Sequence, residues 1–105
     1  ELPVRPTGLF CFSDVMAMGA YQAATEASLR IPQDLSIVGF DNMEFTAGLH
    51  PGLTTVALPH YEMGAWGVQQ LLALMESPTE RAKQVQLSGQ LIRRRSVAPP
   101  PVDVT

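Results

Sequence analysis

Asp41 and Ser13 are the two residues placed to do chemistry. Asp41 follows the apolar run Leu35-Ser36-Ile37-Val38-Gly39-Phe40, and Ser13 follows Thr7-Gly8-Leu9-Phe10-Cys11-Phe12. A carboxylate at the exit of a buried strand accepts two hydrogen bonds at once. That suits the vicinal hydroxyls of a sugar or a donor pair on a base, and such charge-assisted bonds are roughly twice as strong as neutral ones. An Asp at this place equally organises its own loop by accepting backbone N–H groups, and spacing alone does not separate the two roles. Ser13 has a similar double reading, as a ligand contact or as the N-cap of a following helix. Ser13 and Asp14 can divide the work, one capping and the other facing the crevice.

Other chemistries find little footing. Nucleophilic catalysis wants a Ser or Cys beside a His that a third group orients. The only histidines are His50, in a turn beside Pro51, and His60, after Pro59. Nothing pairs either with Ser13 or Cys11, so no catalytic residue is assigned and the chain is not read as an enzyme. No His, Cys or carboxylate spacing matches a metal site, and Gly39 and Gly48 fit neither phosphate-binding motif. No metal or other cofactor is expected. Cys11, mid-run, reads as a small buried hydrophobe, since no basic neighbour lowers its pKa. Arg93-Arg94-Arg95 is the only basic run; on a strand its members alternate faces, and a solvated, charge-protected edge is the expectation.

The elements that must position Asp41 and Ser13 form a βαβ unit. Two short apolar runs bracket a helical segment over residues 15–28, with Pro32 in the turn before the second run. Strands so joined are parallel, with a right-handed crossover. Ser13 and Asp41 then emerge at the carboxyl edge of neighbouring strands, where open α/β sheets bind ligands. The stripe Met16, Gly19, Ala20, Ala23 and Ala27 is small enough to face the sheet closely. The neighbouring stripe, Val15, Met18, Tyr21 and Gln22, is apolar for a solvent face, and reads either as the edge of the core or as a subunit contact.

Beyond Asp41-Asn42 the chain runs to a turn at His50-Pro51-Gly52, then to the β-branched strand Leu53-Thr54-Thr55-Val56-Ala57-Leu58. A second helix is expected over 61–75, with the stripe Gly64, Gly67, Val68, Leu71, Leu72 and Met75, stopped by Ser77-Pro78. A charged loop at 79–83 leads to an expected hairpin of residues 85–87 and 91–93 turning at Ser88-Gly89. The tail Ala98-Pro99-Pro100-Pro101 continues neither helix nor sheet.

At 105 residues and a net charge of −3 there is room for one domain, with no basic surface of the kind that touches nucleic acid directly. One cysteine excludes an internal disulfide. No apolar run approaches the ~20 residues needed to span a bilayer. The opening Glu1-Leu2-Pro3-Val4-Arg5-Pro6 lacks the pattern of a signal peptide, so no membrane partner and a cytoplasmic setting, or an internal piece of a longer chain, are expected. Entry into an apolar strand almost at once suggests a sheet completed by chain from elsewhere.

The order of residues 10–20 (Phe10-Cys11-Phe12-Ser13-Asp14-Val15-Met16-Ala17-Met18-Gly19-Ala20) and 29–42, ending Val38-Gly39-Phe40-Asp41-Asn42, resembles the lactose/galactose-repressor (LacI/GalR) family of bacterial transcription regulators. So do Pro51-Gly52-Leu53-Thr54-Thr55-Val56, the helix start Glu62-Met63-Gly64, and the closing 91–100 with its Arg93-Arg94-Arg95-Ser96-Val97-Ala98-Pro99-Pro100. The match runs from about Pro6 to Pro100, with the cytidine- and purine-repressor branches looking nearest.

The resemblance implies an α/β, periplasmic-binding-protein-like (type I) fold, a parallel sheet flanked by helices, with only its C-terminal portion here. Residues 1–105 would be part of an effector-binding and dimerisation domain. Within it, 1–53 would be the βαβ of the C-terminal subdomain, 54–58 a crossover strand, 59–78 a helix of the N-terminal subdomain, and 84–100 the closing hairpin of the C-terminal subdomain. It puts Asp41 on the family's effector-contacting aspartate and Ser13 where some members place an effector-contacting Asn. Met18, Tyr21 and Gln22, with Gly48 and Leu49, fall on the homodimer interface. Leu58 departs from the pattern, standing where many members carry Gln, which leaves the effector class open between sugars and nucleoside- or purine-like molecules. Operator DNA would be bound only through a helix-turn-helix that this stretch lacks. The mechanism implied is allosteric, effector binding changing operator affinity. A periplasmic solute-binding protein of a transporter shares the fold and is the alternative.

Overall fold

The computed structural model describes residues 4–79 and 81–102. The start of the proline-containing lead-in, Glu80 of the charged loop and residues 103–105 lie outside it. The chain divides into two units, residues 58–89 and the remainder.

In the larger unit, β1 (Gly8–Phe10) and β2 (Ser36–Val38) pair in parallel, Leu9 opposite Ile37, and α1 (Asp14–Glu26) connects them. This is the expected βαβ. The pairing continues past the strand ends, where the Cys11 N–H donates to the Val38 carbonyl at 2.8 Å and that of Asp14 to Phe40 at 3.1 Å. The edge carrying residues 13 and 41 is thereby one edge. The chain then makes a 3₁₀ turn (Glu44–Gly48) and enters β3 (Thr55–Ala57), which continues the sheet beyond β2 through parallel bridges from Val38 to Thr54 and from Asp41 to Ala57. β4 (Gln90–Ile92) closes it, antiparallel to β3, with Val56 opposite Leu91.

The expected hairpin does not form. Residues 85–87 are not a strand, and 90–92 pair with β3 instead. Two three-residue arms make a marginal hairpin on their own, whereas β3 is already fixed to β2 and offers an edge.

The core of this unit is thin: Cys11, Ala17, Ile37 and Leu53 are buried, with Ala20, Tyr21, Ile31, Leu35 and Leu49 packed against them. Burial pushes the Cys11 thiol pKa up, as befits a small hydrophobe. The phase of α1 differs from expectation. Asp14, Ala17 and Ala24 are buried, while Met16, Gly19, Ala23 and Ala27 are exposed; of the small stripe only Ala20 packs on the core. The reason is polar. Ser13 caps the helix from an extended conformation, its Oγ accepting the Met16 N–H at 3.2 Å. That points the Asp14 side chain inward, and positions 17, 21 and 24 follow it at helical spacing.

The second unit consists of α2 (His60–Glu76) and the loop to Gly89. No residue of α2 is buried, and Val68, Leu71, Leu72 and Met75 are each more than half exposed. Leu58, Met63, Trp66, Val85 and Leu87 line an apolar cleft of about 340 Å³ within this unit. No helix among the described residues is long and apolar enough to cross a membrane.

Candidate functional site

The loop leaving β2 is built from unusual backbone. Asp41 has φ 124° and Asn42 φ 57°, a left-handed pair that L-residues adopt only when the surroundings over-determine it. Three bonds do so. The Asp41 N–H donates to the Val56 carbonyl at 2.8 Å, the Asn42 N–H to Thr55 Oγ1 at 3.3 Å, and the Met43 N–H to Asp14 Oδ2 at 2.7 Å. Thr55 in turn donates its hydroxyl to Asp14 Oδ1 at 2.6 Å. Asp14, fully buried, is therefore the hub: one carboxylate ties the start of α1 to β3 and to the loop after Asp41. Gly39 makes room for it, since a Cβ there would collide with Asp14 Oδ1 and stand 2.9 Å from Leu53 Cδ2.

The other side of the loop is held by Arg94. Its Nη2 donates to Asn42 Oδ1 at 3.0 Å, and its Nη1 to Thr46 Oγ1 at 2.9 Å and the Leu53 carbonyl at 2.8 Å. Its backbone N–H donates to Thr54 Oγ1. This corrects the reading of Arg93-Arg94-Arg95 as a solvated edge. Arg93 and Arg95 are exposed, but Arg94 is half-buried and fully engaged. Two residues on, buried Ser96 accepts the Thr54 N–H at 2.8 Å and donates to the Ile37 carbonyl.

The structure thus brings Ser13 and Asp41 to one sheet edge, both half-buried. Phe10, two-thirds exposed, stands near Phe40 with ring centroids 6.4 Å apart, and Phe12 is more exposed still. Exposed rings and a carboxylate carried near one sheet edge are the kinds of group that bind a ligand with hydroxyls on one side and a C–H or base face on the other. Among the described residues no group of three His, Cys, Asp or Glu is placed to hold a metal ion.

The residues expected at a subunit contact behave in two ways. Met18, Gln22 and Gly48 are exposed. Tyr21 and Leu49 are half-buried against the core, the Tyr21 hydroxyl donating to the Pro51 carbonyl at 2.7 Å. Next to them, Leu49, His50, Pro51, Arg94 and Arg95 border an open cavity of about 540 Å³.

Sequence reasoning missed Asp14 and Arg94 as organisers. A signal existed for Arg94. Ile92, Arg94, Ser96 and Ala98 alternate with exposed Leu91, Arg93, Arg95 and Val97, so an inward Ile92 carries its period-two neighbours inward as well.

A family model described as a periplasmic binding protein-like domain matches residues 1–97. The ribose operon repressor of Haemophilus influenzae is 43% identical over 93 residues, covering 89% of this chain and 28% of that protein. The HTH-type transcriptional repressor PurR of Erwinia tasmaniensis is 43% identical over 97 residues, 92% of this chain and 28% of its own length. Among solved structures, a LacI family transcriptional regulator from Enterococcus faecalis with bound ribose superimposes with a TM-score of 0.81 at 34% identity, over 96% of this chain and 37% of that one. The lac repressor dimer bound to operator and the anti-inducer ONPF gives 0.80 at 33% identity, over 90% and 32%. The chain spans about 28% of the length of the curated relatives it matches. With a parallel βαβ unit, a loop built around Asp41 and this agreement along nearly its whole length, the chain belongs to the periplasmic binding protein-like family, as part of the effector-binding domain of a LacI-family regulator.

Proposed function

We propose that this chain is the effector-sensing and dimerisation part of a DNA-binding transcription regulator, in which a small molecule allosterically controls operator affinity. One observation carries the reading: 90% of the chain superimposes, at 33% identity, on a repressor dimer bound to its operator and a small-molecule anti-inducer. The curated relatives quoted above are likewise repressors by name, which favours a regulator over a transport receptor and a cytoplasmic setting over an exported one. In this reading Asp41 accepts hydroxyl or ring N–H donors of the effector, and Ser13 contributes beside it while capping α1. Met18, Tyr21, Gln22, Gly48 and Leu49 lie toward the second subunit of a homodimer. DNA contact belongs to a helix-turn-helix elsewhere in the complete protein, and no step of catalysis is assigned to this portion. The effector class is a sugar or a nucleoside- or purine-like molecule; a regulator of similar structure holds ribose.

The test uses the complete regulator. Its affinity for DNA from its own promoter region is measured by fluorescence anisotropy while ribose, adenosine and hypoxanthine are titrated separately. A shift in operator affinity with one of them, lost in Asp41→Ala, supports the reading. An effector response that Asp41→Ala leaves unchanged reduces Asp41 to a loop organiser. A protein that binds a solute and no DNA is a transport receptor.

A further inference from the structure

We infer that Arg94 is a positioning residue for the effector loop, acting through Asn42 to hold Asp41 in its binding geometry. The inference rests on Asp41 being the effector contact. Its starting point is the left-handed pair at φ 124° and 57°. Asp and Asn enter such conformations more readily than most residues but still at a cost, so something must hold two in succession. The Val56 carbonyl, the Thr55 hydroxyl and the Asp14 carboxylate accept from, and so fasten, the amides of residues 41, 42 and 43 in turn. The Asn42 side chain is fastened by the Arg94 guanidinium, which reaches Thr46 at the end of the loop and the Leu53 carbonyl at the approach to β3 from the same Nη1.

The acceptors that these bonds use are an amide, a hydroxyl and a carbonyl. A guanidinium's fixed fork serves three such acceptors at set angles, where a lysine ammonium, a single point on a flexible stem, does not. The stem of Arg94 is itself confined: a Cβ on Gly52 would lie 3.3 Å from its Cδ. The group that sits beside Asp41 in sequence is therefore anchored to a segment more than fifty residues away. The loop shape is enforced by bonds within the chain itself, and preorganisation of this kind raises affinity by removing an ordering step from binding.

The experiment separates the bond from the fold. Asn42→Gly accepts the left-handed backbone without strain and removes only the acceptor; Asn42→Asp keeps an acceptor for Arg94; Arg94→Lys keeps the charge and removes the fork. In the complete protein, amide hydrogen exchange at Asn42 and Met43 is compared with that at Cys11, whose N–H bonds Val38 in the sheet. Exchange at 42 and 43 is expected to quicken about tenfold, the worth of one hydrogen bond to a charged group, in Asn42→Gly and Arg94→Lys. It should stay near wild type in Asn42→Asp, with Cys11 unchanged throughout. Equal exchange in all variants, or a rise at Cys11 that matches the rise at 42 and 43, overturns the inference and leaves Arg94 a general brace. Calorimetric titration with ribose and adenosine adds the second arm. Weakening in Asn42→Gly and Arg94→Lys of the same order, alongside loss in Asp41→Ala, supports the inference. Loss in Asp41→Ala alone overturns it and leaves the effector site standing. A loosened loop in a protein whose response does not depend on Asp41 keeps Arg94 as the loop's anchor and overturns the effector reading instead.

Discussion

Asp14 and Thr55, 41 positions apart, share a 2.6 Å hydrogen bond at complete burial. The bond joins the first residue of α1 to the first residue of β3, and Asp14's second oxygen reaches the Met43 amide just past Asp41 and Asn42. A buried carboxylate is tolerated only where its acceptor capacity is used, and both oxygens are used here.

Asp14→Ala leaves the Thr55 hydroxyl and the Met43 N–H without their partner. Each stranded donor costs about 1–3 kcal/mol, so a loss of about 3 kcal/mol is expected in urea unfolding of the complete protein. Asp14→Asn should recover only part, because its amide nitrogen meets one of two donors. A variant of wild-type stability would show that the Asp14 bonds contribute nothing.

Gly39→Ala tests the same hub from the other side. The added methyl would overlap Asp14 Oδ1 and lie 2.9 Å from the Leu53 side chain, both fully buried. Overpacking of this kind costs about 1–3 kcal/mol. It should also lower protection of the Met43 amide, because Asp14 is the atom displaced. Destabilisation with unchanged Met43 exchange would assign the cost to Leu53 alone.

Much of this was legible in the chain. The parallel pair, the helix between them and the shared edge of Ser13 and Asp41 follow from two apolar runs and their breakers, because neighbouring strands joined through a helix run parallel and so end at the same edge. Cys11 as a buried hydrophobe followed from its apolar neighbours. What escaped was decided by long-range polar contacts. Ser13 and Asp14 are equally good caps by type, and only Thr55 and Met43, far along the chain, show which one turns inward and so sets the phase of α1. The partner of residues 90–92 was likewise undetermined locally, since a nearby short run and a distant fixed edge compete for it. Arg94 was misread because alternation along the run does not by itself say which arginine faces inward; the buried Ser96 and half-buried Ile92 on either side of it, and its distant partners Asn42, Thr46 and Leu53, decide that.

Tyr21 offers a third prediction. Its hydroxyl donates to the Pro51 carbonyl at 2.7 Å, pinning α1 to the turn before β3. Tyr21→Phe should cost about 1 kcal/mol, one neutral hydrogen bond. Burial raises the phenol's pKa above 10, with a Ser96 contact acting in the opposite sense. A folded-state pKa raised above the unfolded one stabilises fully below pH 10 and fades as pH climbs through the folded value. The wild-type advantage over Tyr21→Phe in thermal melts should therefore hold at neutral pH and shrink on the alkaline side; an advantage that grows there would contradict the bond's direction.

Asp34 supplies the acid limb. The turn before β2 is closed by its carboxylate, which accepts the Arg30 backbone N–H at 2.7 Å and the guanidinium at 3.0 and 3.1 Å. The Arg30 side-chain bond, reinforced by the backbone bond, lowers its pKa from 3.8 to about 2. A depressed folded-state pKa stabilises above the unfolded value and is lost as pH falls through the folded one. Asp34→Asn should thus melt slightly below wild type at pH 5–7, with the two curves converging between about pH 4 and 2. High salt should narrow the gap at neutral pH, because Arg30 is solvent-exposed and its charge is screened. A gap that persists unchanged to pH 2 would mean that the turn needs the side chain's shape and its bond to the Arg30 amide, and that the carboxylate charge is not what stabilises it.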